Sequence, residues 1–120
     1  MEGRDAQKWL HKIVTADVEH LQTGQGTRSA LLDAKGHFVA AFHILRDDEI
    51  FGLFVDPSAR EILLNTLRRY IIREKVTILD VTDLWSCVSV IGANAAVIIE
   101  PILKMSAPSI AYNWVWGHVD

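Results

Sequence analysis

Three extended runs joined by two short turns decide the fold of this chain: TRSALL (residues 27–32), DAKG (33–36), HFVAAFHIL (37–45), RDD (46–48) and EIFGLFV (49–55). The runs are rich in β-branched and aromatic residues, which favour extended backbone. The connections have the length and the Asp or Gly content of hairpin turns. The stretch therefore predicts an antiparallel sheet of three consecutive strands.

Helices are predicted on both sides of this stretch. Before it, Asp5 is a suitable N-cap for a short amphipathic helix that ends near Thr15, because apolar residues recur there at a spacing of three to four. After it, Asp56 and Pro57 predict the start of a long helix that runs to about Glu74. The leucines of this second helix share one face and its arginines fall mostly on the other, which is the pattern of a helix packed on a sheet.

The remainder of the chain predicts more strands and one helix. β-Branched residues fill residues 76–81 and 84–91, which we expect to form a second hairpin. A helix is expected over residues 95–104, with Pro101 in its last turns, and a final strand over residues 109–118, where aromatic residues alternate. This element order predicts an α+β fold with an antiparallel sheet, helices on one face and a ferredoxin-like arrangement.

Composition narrows the class of protein. The chain has 120 residues, of which 50% are hydrophobic, and its net charge is -3 from 12 basic and 15 acidic residues. A disordered or low-complexity chain would be poorer in apolar residues, and a negative net charge gives no general attraction to nucleic acid or to an anionic membrane. No apolar run reaches the roughly 20 residues of a membrane helix. With Cys87 as its single cysteine, we expect a cytoplasmic protein in a reducing compartment.

Metal and cofactor motifs are the next feature. The 5 histidines form no HxH or HxxxH pair and no cluster with Cys87, so the spacing predicts no metal site. Gly24 and Gly26 form GxG without the further glycine of a dinucleotide-binding turn, and no GxSxG motif marks a nucleophilic serine.

One dense group of basic residues stands out near the end of the long predicted helix. It consists of Arg68, Arg69, Arg73 and Lys75. Two interpretations stay open. Such a group is a solvated face whose cations interact favourably with the carboxyl end of the helix, or it is an anion site for a polyglutamate tail, a phosphate or RNA.

Five short motifs lie along the chain: GRDA (residues 3–6), IVTADV (13–18), LDAKGH (32–37), RRYIIREKV (68–76) and IGANAA (91–96). In this order they resemble the folate-binding family that joins the glycine-cleavage T-protein, an aminomethyltransferase, to the YgfZ-like proteins. The stretch 68–76 is the most specific, because it is close to the RYxxRxKV pattern of the YgfZ branch. The resemblance covers nearly the whole chain but only the amino-terminal portion of a family member.

The resemblance implies a fold and a ligand. Residues 1–120 would form a single folate-binding-type domain, the amino-terminal part of a longer architecture in which the folate lies centrally between two related subdomains and a later barrel domain. The implied ligand is tetrahydrofolate. The implied ligand-binding residues are Thr15, Asp17, Lys35, Gly36 and His37. Among them, Lys35 suits a glutamate carboxylate and Gly36 suits a tight turn.

Departures from the family pattern bear on catalysis. T-proteins carry an acidic pair in the strand after the hairpin glycine, and the matching residues here are Ala40 and Ala41. Methyl groups neither orient nor deprotonate an amine, so we expect no aminomethyl transfer by this chain alone. The family asparagine of Thr-Asn-Asp is Ala16 here, and the KGCYxGQE signature of the YgfZ branch is absent.

Three functions follow as hypotheses. The first is a tetrahydrofolate-binding YgfZ-like protein, linked by its relatives to iron-sulfur cluster maintenance or tRNA modification, with iron-sulfur enzymes as partners. The second is a fragment of an aminomethyltransferase like the glycine-cleavage T-protein. The third is an interaction module that forms homo-oligomers through exposed strand edges and binds no folate.

Overall fold

The computed structural model describes residues 1–117 of the chain. Three strands form one antiparallel sheet in the order β1-β2-β3, and three α-helices accompany it. The strands are β1 (Gly26–Leu32), β2 (Phe38–Asp47) and β3 (Ile50–Val55), and the helices are α1 (Ala6–Ile13), α2 (Arg60–Tyr70) and α3 (Ala95–Leu103). The predicted α+β architecture is confirmed, and it is consistent with a ferredoxin-like subdomain.

The sheet has one buried and one exposed face. Cα pairing aligns Ser29 with Phe42 and Ile44 with Leu53, so these side chains share the buried face. Alternation along β2 then leaves Ala41 and His43 exposed on the other face. This one-sided burial is typical of an antiparallel sheet that is covered by helices on a single face.

Both amino-terminal helices pack on the buried face. Helix α1 contributes Trp9 and Leu10, and helix α2 contributes Leu63 and Leu67, to one cluster with the sheet residues. The Trp9 Nε1 donates a hydrogen bond of 3.3 Å to the backbone oxygen of Tyr70, which ties the two helices together. The prediction of helices on one face is therefore confirmed for α1 and α2, whereas α3 has no buried residue.

Short extended segments occupy both edges of the sheet. Val14 pairs with Leu31 on the free edge of β1. On the free edge of β3, the backbone nitrogen of Phe51 donates to the oxygen of Met1 at 2.8 Å, and Glu2 pairs in turn with Thr77. Each edge strand therefore has part of its outer backbone engaged, β1 at Ala30 and Leu31 and β3 at Phe51.

The second predicted hairpin is wrong. Residues 76–81 and 84–91 form no hairpin, and within this stretch the structure has only the single bridge at Thr77 and a 3-10 turn, Thr82–Leu84. β-Branched residues form strands when they have a partner strand and a surface to pack on. Residues 84–91 pair with no strand of the described chain, and all of them are exposed.

The long helix ends earlier than predicted. It begins as expected, with the Asp56 carboxylate accepting from the Ser58 nitrogen at 2.9 Å before Pro57–Ala59 and α2. It ends at Tyr70 instead of Glu74, because the Glu74 carboxylate accepts from the backbone nitrogens of Ile72 and Arg73, at 3.0 Å each. These bonds replace the helical partners that the two nitrogens would otherwise need.

The helix predicted over residues 95–104 is confirmed as α3, with Pro101 inside it. The final strand predicted over residues 109–118 is wrong for residues 109–117, and His118 lies outside the described residues. Tyr112 adopts a positive φ of 64°, which interrupts an extended run. Instead of alternating along a strand, the rings of Trp114 and Trp116 contact each other edge to face at 5.3 Å.

Candidate functional site

The turn between β1 and β2 is ordered by one carboxylate. Asp33 Oδ1 accepts hydrogen bonds from the backbone nitrogens of Lys35 at 2.8 Å and His37 at 2.9 Å. Its Oδ2 lies 3.1 Å from His37 Nδ1, and Gly36 supplies the left-handed backbone with a φ of 83°. The backbone donors, first that of His37, lower the pKa of Asp33. This turn therefore holds Lys35 and His37 in a fixed exposed position.

An open groove lies between this turn and the end of α2. Its volume is about 440 Å³. The lining residues are Asp33, Ala34, Lys35, His37, Arg69 and Tyr70. Two of the predicted folate residues, Lys35 and His37, thus meet one member of the predicted anion patch, Arg69. The structure therefore brings together members of two predicted sets that lie more than thirty positions apart in the chain.

Thr15 lies outside this groove, on the free edge of β1. Its Oγ1 accepts a 3.0 Å hydrogen bond from the Ala30 nitrogen and lies 3.4 Å from Ser29 Oγ. Ser29 is buried, and its hydroxyl accepts from the Ala16 nitrogen at 3.1 Å. The two hydroxyls fasten the segment after α1 to the sheet, which is a structural role for Thr15.

Asp17 lies in the loop that follows. Its Oδ2 is 2.7 Å from His20 Nδ1, and this hydrogen bond lowers the pKa of Asp17 and raises the pKa of His20. The loop is held by α1, because His11 Nδ1 accepts from the backbone nitrogens of Val18 at 3.3 Å and Glu19 at 3.4 Å. Asp17 is exposed, and its carboxylate is paired with His20.

The four predicted anion-patch residues occupy two different settings. Arg68 and Arg69 lie in the last turn of α2, where cations interact favourably with the helix dipole. Arg73 and Lys75 follow the helix. The backbone nitrogen of Lys75 donates to Asp5 Oδ2 at 2.7 Å. Within residues 1–117, no side chain of these four forms an ion pair.

A second open groove, of about 580 Å³, runs along the exposed side of α2. Its lining includes Ser58, Asn65 and Thr66, and it shares Arg69 with the first groove. Sequence reasoning missed this convergence and also missed Tyr70, whose hydroxyl donates to the Leu32 oxygen at 3.5 Å. No short sequence motif indicates this convergence, because residues 32–37 and 69–70 meet only through the packing of α2 on the sheet.

The described part of the chain contains neither a cluster of metal-ligating side chains nor a membrane-spanning helix. Across residues 1–117, no group of three or more His, Cys, Asp or Glu side chains has the arrangement of a metal site. The same residues include no helix with the length and apolar character needed to cross a membrane.

Comparisons with known proteins agree in pointing to one family. The profile of the GCVT N-terminal domain matches residues 1–118. The tRNA-modifying protein YgfZ of Klebsiella pneumoniae (strain 342) is 32% identical over 102 residues, which cover 85% of this chain and 31% of that protein. The tRNA-modifying protein YgfZ of Escherichia coli (strain SE11) is 36% identical over 76 residues, which cover 63% of this chain and 23% of that protein.

The chain therefore spans about a third or less of the length of the curated relatives it matches. The match to the family profile nonetheless runs through α1, the whole sheet, α2 and α3. It confirms the resemblance drawn from motifs such as residues 32–37 and 68–76. The chain belongs to the GCVT N-terminal domain family and is similar to the YgfZ proteins.

Proposed function

We propose that this chain binds tetrahydrofolate as the amino-terminal part of a YgfZ-like protein linked to tRNA modification or iron-sulfur cluster maintenance. The residues proposed to lie near the ligand are Thr15, Asp17, Lys35, Gly36 and His37. Family membership supports the ligand class, and the name tRNA-modifying protein borne by the relatives supports the process. Iron-sulfur enzymes are the proposed partners.

The groove beside the turn is the observation that carries this proposal. A folate ends in a glutamate whose carboxylates need cationic or hydrogen-bonding partners. Lys35 and Arg69 line the groove from two different elements, and the Asp33 carboxylate fixes the backbone from which Lys35 projects. A ligand tail placed there meets positioned cations without a rearrangement of the backbone, which lowers the entropic cost of binding.

Binding without turnover is proposed, because of the residues that replace the acidic pair of the T-proteins. Ala40 is buried in the core and Ala41 is exposed on the opposite face of β2. Neither side chain has an ionisable group, and the two point away from each other. An aminomethyl transfer would therefore need its proton acceptor from elsewhere.

The test is isothermal titration calorimetry with 5-formyltetrahydrofolate, a stable reduced folate. We expect the 120-residue chain to bind it and the Lys35→Gln variant to bind it about tenfold more weakly, since a charge-assisted contact is lost. The matched control is Lys8→Gln, which removes an exposed lysine of α1 outside the groove. Absence of heat and of a thermal shift with the unsubstituted chain would contradict intrinsic folate binding.

A homo-oligomerising module is the second candidate, and the exposed apolar residues beyond the sheet favour it. Val88 is 84% exposed and Ile91 is 92% exposed, and burial of such residues drives association. Sedimentation equilibrium tests this. Association weakened by Val88→Ser and Ile91→Ser, but not by Phe38→Ser at the 67% exposed tip of β2, would support the module. A monomer at all concentrations would contradict it.

A further inference from the structure

The lining of the groove beside the turn includes two cations, Lys35 and Arg69, and one carboxylate, Asp33. The ion pairs among residues 1–117 join other side chains, and neither Lys35 nor Arg69 takes part in one. The guanidinium of Arg69 has one hydrogen bond, a long one of 3.4 Å from Nη2 to Thr66 Oγ1 of its own helix. Two like charges that line one groove repel each other, and an anion between them removes that repulsion.

The carboxylate in the groove lining offsets only part of this positive charge. Asp33 accepts from the backbone nitrogens of Lys35 and His37, and its second oxygen faces His37 Nδ1. Lys35 and Arg69 together carry two positive charges against its one negative charge, so the lining is positive on balance. The chain has a net charge of -3, so the positive character of this groove is a local feature and not part of a general basic surface.

The groove has room for a ligand larger than a single ion. Its volume of about 440 Å³ is many times the roughly 30 Å³ that a water molecule takes up in the liquid. Arg69 also lines the second groove, but the Glu61 carboxylate lies in that lining, so the anionic groups of a ligand are expected to stay beside Lys35 and Arg69. The planar guanidinium of Arg69 can bind an oxyanion through two parallel hydrogen bonds, whereas Lys35 acts as a point charge.

We propose that the groove formed by Lys35, His37, Arg69 and Tyr70 is an oxyanion site for ligands that carry two or more neighbouring negative charges, either phosphates or carboxylates. The inference rests on the proposed function, because it uses the groove that is assigned there to the folate tail. It extends the ligand class of that groove, because the recognition chemistry of Lys35 and Arg69 needs no pterin ring.

The experiment titrates the 120-residue chain with two probes in separate calorimetric runs at low ionic strength, inorganic pyrophosphate and tri-γ-glutamate. Neither contains a folate ring, so their results are distinguishable from those with 5-formyltetrahydrofolate. We expect at least one probe to bind and both Arg69→Gln and Lys35→Gln to weaken it about tenfold. Arg69→Lys keeps the charge but loses the paired hydrogen bonds, so we expect a smaller loss of affinity.

Lys8→Gln is again the matched control, and thermal unfolding of each variant verifies its fold. Binding of pyrophosphate alone identifies a phosphate site, and binding of tri-γ-glutamate alone identifies a carboxylate site. No binding of either probe overturns the proposal, and so does an equal loss of affinity in Lys8→Gln, which would mean non-specific attraction by total charge.

Discussion

The parts of the molecule before and after Ile78 differ in where their apolar side chains lie. Every buried residue falls between Ala6 and Leu67, and the partly buried hydrophobics that pack on this core extend to Ile78. Residues 79–117 have no buried residue, although 14 of the 20 exposed large hydrophobics belong to them. A high apolar content therefore does not by itself produce a core. It produces one only where alternation and helical spacing direct side chains to a shared face.

The largest expected difference between the two parts is tested by one leucine substitution before Ile78 and one after it. Leu10 is fully buried in α1 and Leu84 is 80% exposed. We expect Leu10→Ala to lower the free energy of unfolding by about 3 kcal/mol through lost burial and a residual cavity. Leu84→Ala should change it by less than about 0.5 kcal/mol. Urea denaturation measures both, and similar losses in the two variants would break the comparison.

A smaller effect tests how the segment after α1 is held to the sheet. Removal of the buried Ser29 hydroxyl in Ser29→Ala leaves the Ala16 nitrogen without its acceptor. We expect a loss of about 1 to 2 kcal/mol in the free energy of unfolding. Ser89→Ala removes the same group from an exposed residue in the second part and should be nearly neutral. Equal losses in a denaturation experiment would mean that Ser29 contributes no more than a surface serine.

The smallest effect concerns the junction between the two parts. The Asp80 carboxylate bonds to the hydroxyl and the backbone nitrogen of Thr82 and pairs with Arg60 of α2 at 2.8 Å. These partners, Thr82 first, lower the pKa of Asp80 from 3.8 to about 2. A folded-state pKa below the unfolded value means that the contribution to stability is complete above about pH 4 and is lost as the pH falls toward 2.

We therefore expect Asp80→Asn to lower the midpoint of thermal unfolding slightly at pH 6, where Arg60 and Thr82 lose a charged partner, and this difference from the unsubstituted chain should become smaller as the pH falls toward 2. Other carboxylates with lowered pKa values, such as Asp33, titrate in both proteins and cancel in the difference. Thermal unfolding followed by circular dichroism at the two pH values measures this. A difference in midpoint that does not change with pH would contradict the assignment.

Local patterns predicted the hairpin strands and the starts of the helices, although the predicted cap at Asp5 is wrong, because its carboxylate accepts from the backbone nitrogen of Lys75 and not from α1. A turn or a cap needs only neighbouring residues. Asp56 before Pro57 and the turn from Asp33 to Gly36 are examples.

The end of α2 is also set locally, by the Glu74 carboxylate that accepts from the backbone nitrogens of Ile72 and Arg73, but the apolar spacing of the helix does not reveal it. The same reasoning failed over residues 84–91, because a strand forms only where the fold supplies a partner strand from elsewhere in the chain.

The residues of the candidate site also fall into two groups, those indicated by local sequence and those brought in by the packing of a distant helix. The turn and the resemblance indicate Lys35, Gly36 and His37, and the structure places Lys35 and His37 in the lining of one groove with Gly36 in the turn between them. Their role in folate binding stays a prediction, as does that of Thr15 and Asp17. The addition of Arg69 to the groove could not be predicted, because it depends on the packing of α2 against the sheet.

The pairing of the first residues with a segment over seventy positions later bears on the order of assembly. Glu2 bonds with Thr77, and Gly3, at a φ of 131°, passes so close to the Lys75 backbone that a Cβ would clash with it. During synthesis Glu2 and Gly3 cannot make these contacts until Lys75 and Thr77 have left the ribosome. The β1-β2-β3 hairpins can form earlier, so closure of this distant contact is expected to be a late step in folding.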